Sequence, residues 1–399
     1  MSTFQCASAL ARVFREEAGR ITGTLVHILG DFDLAEEIVQ ETLVAALERW
    51  PVDGIPDNPG AWLTTAARRR AIDHLRRDAN YRTKLAFLEK PGSALPEPDD
   101  RLRLIFTCCH PALSREAQVA LTLRTVCGLT TAQIARAFLT SEATIAQRIV
   151  RAKRKVVEAA IPYRLPSAAE SEERLAEVLA VLYLMFNEGY LSSGDEVPVR
   201  RDLAEDAAWL AQLMVQLMPQ EPECWGLLAL MRLHLARAPA RFDAHGEIVL
   251  LREQDRGLWD RRGIAEAAGM LQRAAGLRRP GPYQLQAAIA ACHVEAPTWA
   301  ATDWPQLLDL YDRLIQLTRS PVAALNRAIV LRQLNGPAGA LVEVDELAGP
   351  LDAYYLFHAT RGELLEELGR GADAAAARRR ALELTSNPAE RALLQGRLA

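Results

Sequence analysis

The sequence predicts an all-α chain of several domains, and three observations carry that expectation. Ala, Leu, Arg and Glu dominate while aromatics make up only 6%, a balance that favours helix over sheet. Apolar residues recur at three- and four-residue spacing through most of the chain, the period of helices with one buried face. The length, 399 residues, exceeds what one helical domain holds, so two or three are expected. The rest of the composition, 50% hydrophobic and 25% charged, is that of an ordinary globular protein. The longest apolar run, residues 178–186, is nine residues, against roughly 18 for a membrane span. No basic patch followed by an apolar stretch opens the chain, so neither a membrane partner nor a secretory signal is expected. Six irregularly spaced cysteines make no disulfide framework and suit a reducing, cytoplasmic setting.

Charge divides the chain. Residues 1–165 hold 23 Lys and Arg against 19 Asp and Glu, and the remainder holds 24 against 32. A basic first part and an acidic second part suggest different partners. In the first part, residues 31–49 (DFDLAEEIVQETLVAALER) place Leu34, Ile38, Leu43, Ala46, Leu47 and Trp50 on one predicted buried stripe. The other face carries Asp33, Glu36, Glu37, Gln40 and Glu41, and 31–48 holds six acids and no base. A proline-rich loop is expected at 51–59. A second helix, GAWLTTAARRRAIDHLRRD, follows with Trp62, Leu63, Ala66, Ile72 and Leu75 inward. Arg68, Arg69, Arg70, Arg76 and Arg77 stand there against only Asp73 and Asp78. A basic helix beside an aromatic-bearing loop has the parts for single-stranded DNA: charge to follow phosphates and rings to stack bases. EKPGSALPEP at 89–98 stops helices on both sides and reads as a linker.

Beyond the linker, Ser114 is the expected cap of a helix reaching Cys127, with Ala117, Ala120, Leu121, Leu123 and Thr125 available for packing. Gly128 ends it. Thr130 or Thr131 caps a short helix holding Ile134, Ala135 and Phe138, residues 139–141 turn, and Ser141 caps a third helix. Ile145, Ile149, Ala152 and Val156 give that helix its buried face. Thr144, Gln147, Arg148, Arg151, Arg154 and Lys155 lie on the other. A short helix, a tight turn and a basic second helix form a helix-turn-helix. Its early polar residues suit base edges, and the later Arg and Lys suit phosphates.

An acidic amphipathic helix, then AWLTTAARRRAIDHLRR, then a linker and a helix-turn-helix, in that order, resembles the two-domain core of an extracytoplasmic-function RNA polymerase sigma factor. The resemblance covers roughly residues 8–160. It implies a polymerase-binding and minus-ten domain at 8–88, a linker at 89–99 and a minus-thirty-five domain at 100–160. It further implies that Asp33, Glu36, Glu37, Gln40 and Glu41 dock on core RNA polymerase. Asn58, Arg68, Arg69, Arg70, Arg76 and Arg77 would then capture the melted minus-ten strand of promoter DNA. The second helix of the helix-turn-helix would read the minus-thirty-five duplex.

Pro162 and Pro166 mark the expected end of this core. A long helix is predicted over 169–186, with Asn187, Glu188 and Gly189 as its exit, their polar atoms used for capping. Amphipathic patterns follow to Ala236. The more polar stretch RFDAHGEIVLLREQDRGLWDRR comes next, with 248–251 short and extended. From Pro280 a period of 34 residues sets in. Residues 334–340 (LNGPAGA) match 368–374 (LGRGADA), Ala328 meets Gly362, Leu331 meets Leu365 and Leu347 meets Ala381. A weaker copy lies upstream, with Ala290 at its small position and 304–317 as its second helix. Thirty-four is the tetratricopeptide period, so the chain is expected to end in a helical extension domain (168–279) and tetratricopeptide-like repeats (280–399). Such stacks leave a concave face for a peptide or helix, from this chain or another. Together the extension looks like that of the subgroup of these sigma factors carrying a long C-terminal region.

Other functions fit less well. No GxxxxGK[ST], HExxH or GxSxG is present, and no Gly-rich fingerprint follows a strand, so an enzyme is not expected. Cys108, Cys109 and His110 lack the partners of a zinc site and read as core, so no metal or cofactor is expected. An ordinary repressor or activator is the alternative, but it needs neither the acidic helix nor the arginine-rich one.

Overall fold

Helix starts follow from local chemistry. Asp31 accepts from the backbone N–H of Asp33 and Leu34, and Ser114, Thr130 and Ser141 do the same for their own first turns. Thr130 and Gln133 reciprocate in a capping box. Pro222, Pro282, Pro321, Pro337 and Pro388 stand in first turns, where a missing N–H costs no hydrogen bond. The computed structural model describes residues 3–77, 100–138, 140–190, 197–243, 246–385 and 387–398. The expected linker and Leu139 lie outside the described residues. Two compact units result, Met1–Glu188 and Gly189–Ala399. Among the described residues no helix is long and apolar enough to cross a membrane.

The first unit begins with α1 (Thr3–Leu29), α2 (Phe32–Asp53) and α3 (Pro59–Arg77), packed around Leu25, Ile38, Trp50 and Leu63. It continues with α4 (Asp100–Cys108), α5 (Arg115–Thr125), α6 (Thr131–Ala137) and α7 (Glu142–Glu158), whose core is Phe106, Leu121, Ile134 and Ile145. Small residues on α1 let these two groups meet closely. A Cβ at Gly19 would stand 3.0 Å from the Val126 carbonyl oxygen, and one at Gly23 would stand 2.9 Å from that of Asp100. Tyr163 Oη lies 2.8 Å from Gly23 O and 3.1 Å from Asp100 O, a tie across the same seam. Past the boundary expected at Pro162 and Pro166, α8 (Ser171–Tyr190) packs back on the unit. Its Glu177 pairs with Arg115 at 2.8 Å and its Arg174 donates to the Phe106 carbonyl.

Three local expectations need correction. The helix α2 runs through Pro51 to Asp53, where Gly54 at φ 88 ends it and donates to Trp50 O; the loop is therefore 54–58. Its buried face is Phe32, Ala35, Ile38, Val39, Thr42, Ala45, Ala46 and Trp50, while Leu34 and Leu43 are half-buried and Leu47 is 41% exposed. In α3 the buried row is Leu63, Ala67, Ala71 and Leu75, with Trp62, Ala66 and Ile72 half-buried. Asn187, Glu188 and Gly189 form the last turn of α8, which ends at Tyr190, one residue past the expected exit. One glycine in a helix costs about 1 kcal/mol, less than the burial of Met185 and Phe186 beside it contributes.

The second unit holds α9 (Val197–Leu217), α10 (Pro222–Ala236), α11 (Arg261–Gly276) and α12 (Pro282–Glu295), then α13 (Trp304–Thr318), α14 (Pro321–Asn335), α15 (Pro337–Glu346) and α16 (Ala348–Leu351), and last α17 (Tyr355–Glu367), α18 (Gly371–Leu384) and α19 (Pro388–Gly396). The extended stretch expected at 248–251 is one antiparallel bridge, Phe242 to Ile248. Glu223 of α10 accepts from the N–H groups of Tyr283 and Gln284, satisfying the start of α12. The hairpins α14–α15 and α17–α18 begin at corresponding positions of the 34-residue period, Pro321 and Tyr355, Pro337 and Gly371. Ala328 and Ala340 are fully buried, as is Ala374, and Gly362 faces Ala374 and Ala377. Small residues thus sit where the paired helices touch. The upstream pair, α12 and α13, is joined by the longer 296–303 segment, so the register is lost there.

Candidate docking and nucleic-acid interfaces

The helix α2 presents Glu37, Gln40 and Glu41 to solvent. Asp33 and Glu36 are engaged instead. Lys153 of α7 donates to Asp33 Oδ1 at 2.8 Å and lies 3.1 Å from Glu36 Oε1, while Arg124 of α5 stands 3.4 Å from Glu36 Oε2. The Lys153 residue is only 8% exposed, though Asp33's side chain keeps 83% of its surface in water. Lysines are almost never buried unless paired, so this ammonium is held where it is by the two carboxylates. Sequence reasoning missed Lys153. The signal was a cation four residues after Ile149, in phase with the buried row.

Beside these pairs opens a cleft of about 460 Å³, lined on the α2 side by Val39, Gln40, Leu43, Val44 and Leu47 and closed by Leu129. Val44 is 53% exposed. Its apolar wall continues the face that carries Glu37 and Gln40, so α2 offers acids and aliphatic surface together.

Asn58, expected at the strand-capturing loop, caps α3: its Oδ1 accepts from Ala61 N at 3.0 Å. Arg68, Arg69 and Arg76 are exposed and Arg70 is half-buried. Arg70 lies 3.8 Å from Glu41 and Arg76 3.8 Å from Asp73, separations at which exposed pairs contribute little. Arg77 ends α3, and its side chain lies outside the described residues. Trp62 packs edge-on against Trp50 at 5.7 Å, which makes it a supporting ring.

On α7, Thr144, Gln147, Arg151, Arg154 and Lys155 are exposed and Arg148 is half-buried, while Ile145, Ile149, Ala152 and Val156 are buried with Lys153. Ser141 caps the helix and its hydroxyl also meets Thr144 Oγ1 at 2.8 Å. Arg154 pairs with Glu158 at 2.5 Å, so it has a competing partner.

Cys108 and Cys109 are fully buried, at hydrogen-bonding distance from Thr125 and Thr122. Burial pushes both thiols up, Cys109 to about 12. Such thiols are poor ligands and poor nucleophiles. Among the described residues no group of His, Cys, Asp and Glu is arranged to hold a metal.

Family models match three stretches: Sigma-70 region 2 at residues 13–81, Sigma-70 region 4 at 103–156, and a family of unknown function, DUF6596, at 174–275. The chain is 44% identical over 388 residues to an uncharacterized protein of Rhizobium meliloti (strain 1021), across 94% of this chain and 92% of that one. It is 30% identical over 161 residues to the ECF RNA polymerase sigma factor SigL of Mycobacterium tuberculosis (strain ATCC 25618 / H37Rv). That match takes in 38% of this chain and 90% of the relative.

Proposed function

Because this chain belongs to the extracytoplasmic-function RNA polymerase sigma factors, with a long helical extension after regions 2 and 4, we propose that it is a promoter-specificity subunit of core RNA polymerase. The observation that carries this reading is one unit holding an acidic, partly apolar α2, an arginine-rich α3 and a capped helix-turn-helix with a basic outer face. A repressor would use only the last of these. Asp33, Glu36, Glu37, Gln40 and Glu41 dock on the polymerase in this reading. The loop at Asn58 with Arg68, Arg69, Arg70, Arg76 and Arg77 takes the melted minus-ten strand. Thr144, Gln147, Arg148, Arg151, Arg154 and Lys155 read the minus-thirty-five duplex. Asp33 keeps most of its side chain in water, whereas Glu36 is held by Lys153 and Arg124 and gains freedom to meet the polymerase when α7 leaves α2. The proposed role needs no catalytic group.

The helical extension, over half the chain, supports activity as a scaffold for the sigma domains in this proposal. Promoter-directed transcription with core polymerase, full length against a chain ended after Glu188, tests both parts. Full-length protein should initiate at specific promoters, and the shortened chain should lose most of that activity. Higher activity on truncation, suppressed by adding residues 189–399 separately, identifies a removable lid instead. No initiation by either chain removes the sigma reading.

Two further outcomes are expected. Replacing Arg148 and Arg151 together with Ala should lower the salt dependence of promoter binding by about 2 in the log–log slope, one per phosphate lost. A slope unchanged from wild type would remove α7 from the DNA. Changing Arg69 and Arg70 to Gln should slow open-complex formation without weakening polymerase binding, and premelted templates should restore part of the rate, since they spare the few kcal/mol of unstacking. Equal defects on duplex and premelted templates would speak against strand capture.

A further inference from the structure

The polar stretch after α10 gathers more positive charge than the fold uses. Arg237 at the end of α10, Arg256 in the 3-10 turn Arg256–Leu258 and Arg261 at the start of α11 surround Trp259. Their guanidinium carbons stand 5.7, 4.6 and 5.9 Å from its ring centre. Arg241 lies 3.8 Å over the neighbouring Tyr190 ring. Among the described residues, none of these four arginines has a carboxylate within ion-pair distance. The nearby acids are occupied on backbone: Asp255 accepts from Gly257 N at 2.8 Å and Asp260 from Gly263 N at 3.0 Å. Elsewhere in the unit inward-lying arginines are paired, Arg332 with Glu363 and Glu367, Arg327 with Asp312 and Glu343.

The donors around Trp259 are also incomplete. Arg256 spends Nη1 on the carbonyls of His293 and Ala296, at the end of α12, but its Nη2 is buried with no acceptor. Trp259 is 3% exposed and its Nε1–H has none either. Among the described residues, the hydrogen-bond acceptor that Arg237 meets is Gln254 Oε1, at 3.4 Å. Burial, and then its arginine neighbours, hold the Arg237 guanidinium below its ordinary range; burial, and then Arg237 and Arg256, push His293 down to about 4. The histidine is therefore neutral near pH 7 and adds no further positive charge. Buried donors without acceptors are costly, and like charges crowded without a counter-charge are more so.

We propose that the cluster of Arg237, Arg256 and Trp259 binds a small oxyanion, the phosphate or carboxylate group of a soluble molecule. Two guanidinium groups and an indole N–H are donors only, and charge-assisted hydrogen bonds from them to an oxyanion are the strong kind. An anion seated there ties the end of α10 to the turn that Arg256 anchors on α12. The site lies in the stretch shared with the DUF6596 family.

The test titrates the full-length chain with inorganic phosphate and with citrate, using sodium chloride at equal ionic strength as reference, and reads melting temperature and calorimetric binding. At least one anion should raise the melting temperature saturably beyond chloride. Trp259→Phe, which keeps the ring and removes one donor, should weaken that binding about fivefold, and Arg237→Met more than tenfold. In chloride, Arg237→Met should melt no lower than wild type, because it removes a crowded, unpaired charge. A preference for phosphate identifies a phosphoryl ligand, and a preference for citrate a carboxylate. The proposal is overturned if both anions act only as chloride does, if both variants bind as wild type does, or if Arg237→Met melts well below wild type in chloride.

Discussion

A Lys153→Met chain is expected to bind core RNA polymerase about tenfold more tightly than wild type while melting at a lower temperature. The two changes have one origin. Lys153 holds Asp33 and Glu36 on α7, and those carboxylates belong to the face proposed to meet the polymerase. The Asp33 contact is mostly in water and contributes about 0–1 kcal/mol. The Glu36 contact, an ion pair at 3.1 Å that makes no hydrogen bond, is more shielded and contributes about 1 kcal/mol. Removing the ammonium therefore shifts the balance towards an undocked α7 by about 1–2 kcal/mol, which is about 5- to 30-fold in the population competent to bind. Methionine preserves most of the stem's volume, so the core beneath loses little packing. Lys153→Arg, which keeps the charge, should behave nearly as wild type. The measurement is an equilibrium titration of labelled protein with core polymerase, alongside a thermal melt. Lower stability with unchanged affinity would make the lysine a structural staple and nothing more.

Gly128→Ala is expected to cost the first unit about 2–5 kcal/mol. Two effects act in the same direction. Gly128 has φ +69, where a residue with a Cβ pays about 1–2 kcal/mol. The added methyl would also stand 2.8 Å from the Ala18 Cβ and 3.1 Å from the Phe14 ring on α1, an overpacking that typically costs about 1–3 kcal/mol. Gly30→Ala provides the comparison, because Gly30 has φ +71 and nothing within 4 Å of the new carbon; only the backbone part should appear. Urea unfolding of both variants reads the difference. Equal losses would mean that the loop after α5 does not approach α1 as described.

What was legible in the sequence was mostly local. Ser114, Thr130 and Ser141 cap the helices they were expected to cap, because a hydroxyl three residues ahead of an apolar row has few other uses. The buried row of α7 and the paired hairpins after Pro321 follow from periodicity alone. What failed needed partners distant in the chain. Leu47 belongs by spacing to the buried stripe of α2, yet it is left at the cleft. Pro51 marks a loop by composition, but the turn before it is held by Trp50, buried against Trp62. Lys153 counts as a surface cation until Asp33 and Glu36, about 120 residues earlier, are brought beside it. The arginines around Trp259 carry no spacing signal at all, since they come from two helices and a turn.

The equal starting points of α14–α15 and α17–α18 have a thermodynamic consequence. Ion pairs join each hairpin to its neighbour, Arg327 to Asp312, Arg361 to Asp345, and Arg332 to Glu363 and Glu367, while Arg327 to Glu343 ties α14 to α15 within one hairpin. Stability in such an array is a chain of nearest-neighbour couplings and not one shared core. Arg397, directly after α19, reaches back to Glu363 of α17 in the same way. Because these steps are laced by charge, added salt should loosen the couplings between hairpins, read as a fall in protection from hydrogen exchange. The repeats then respond to their ionic surroundings as a zipper does, one coupling at a time.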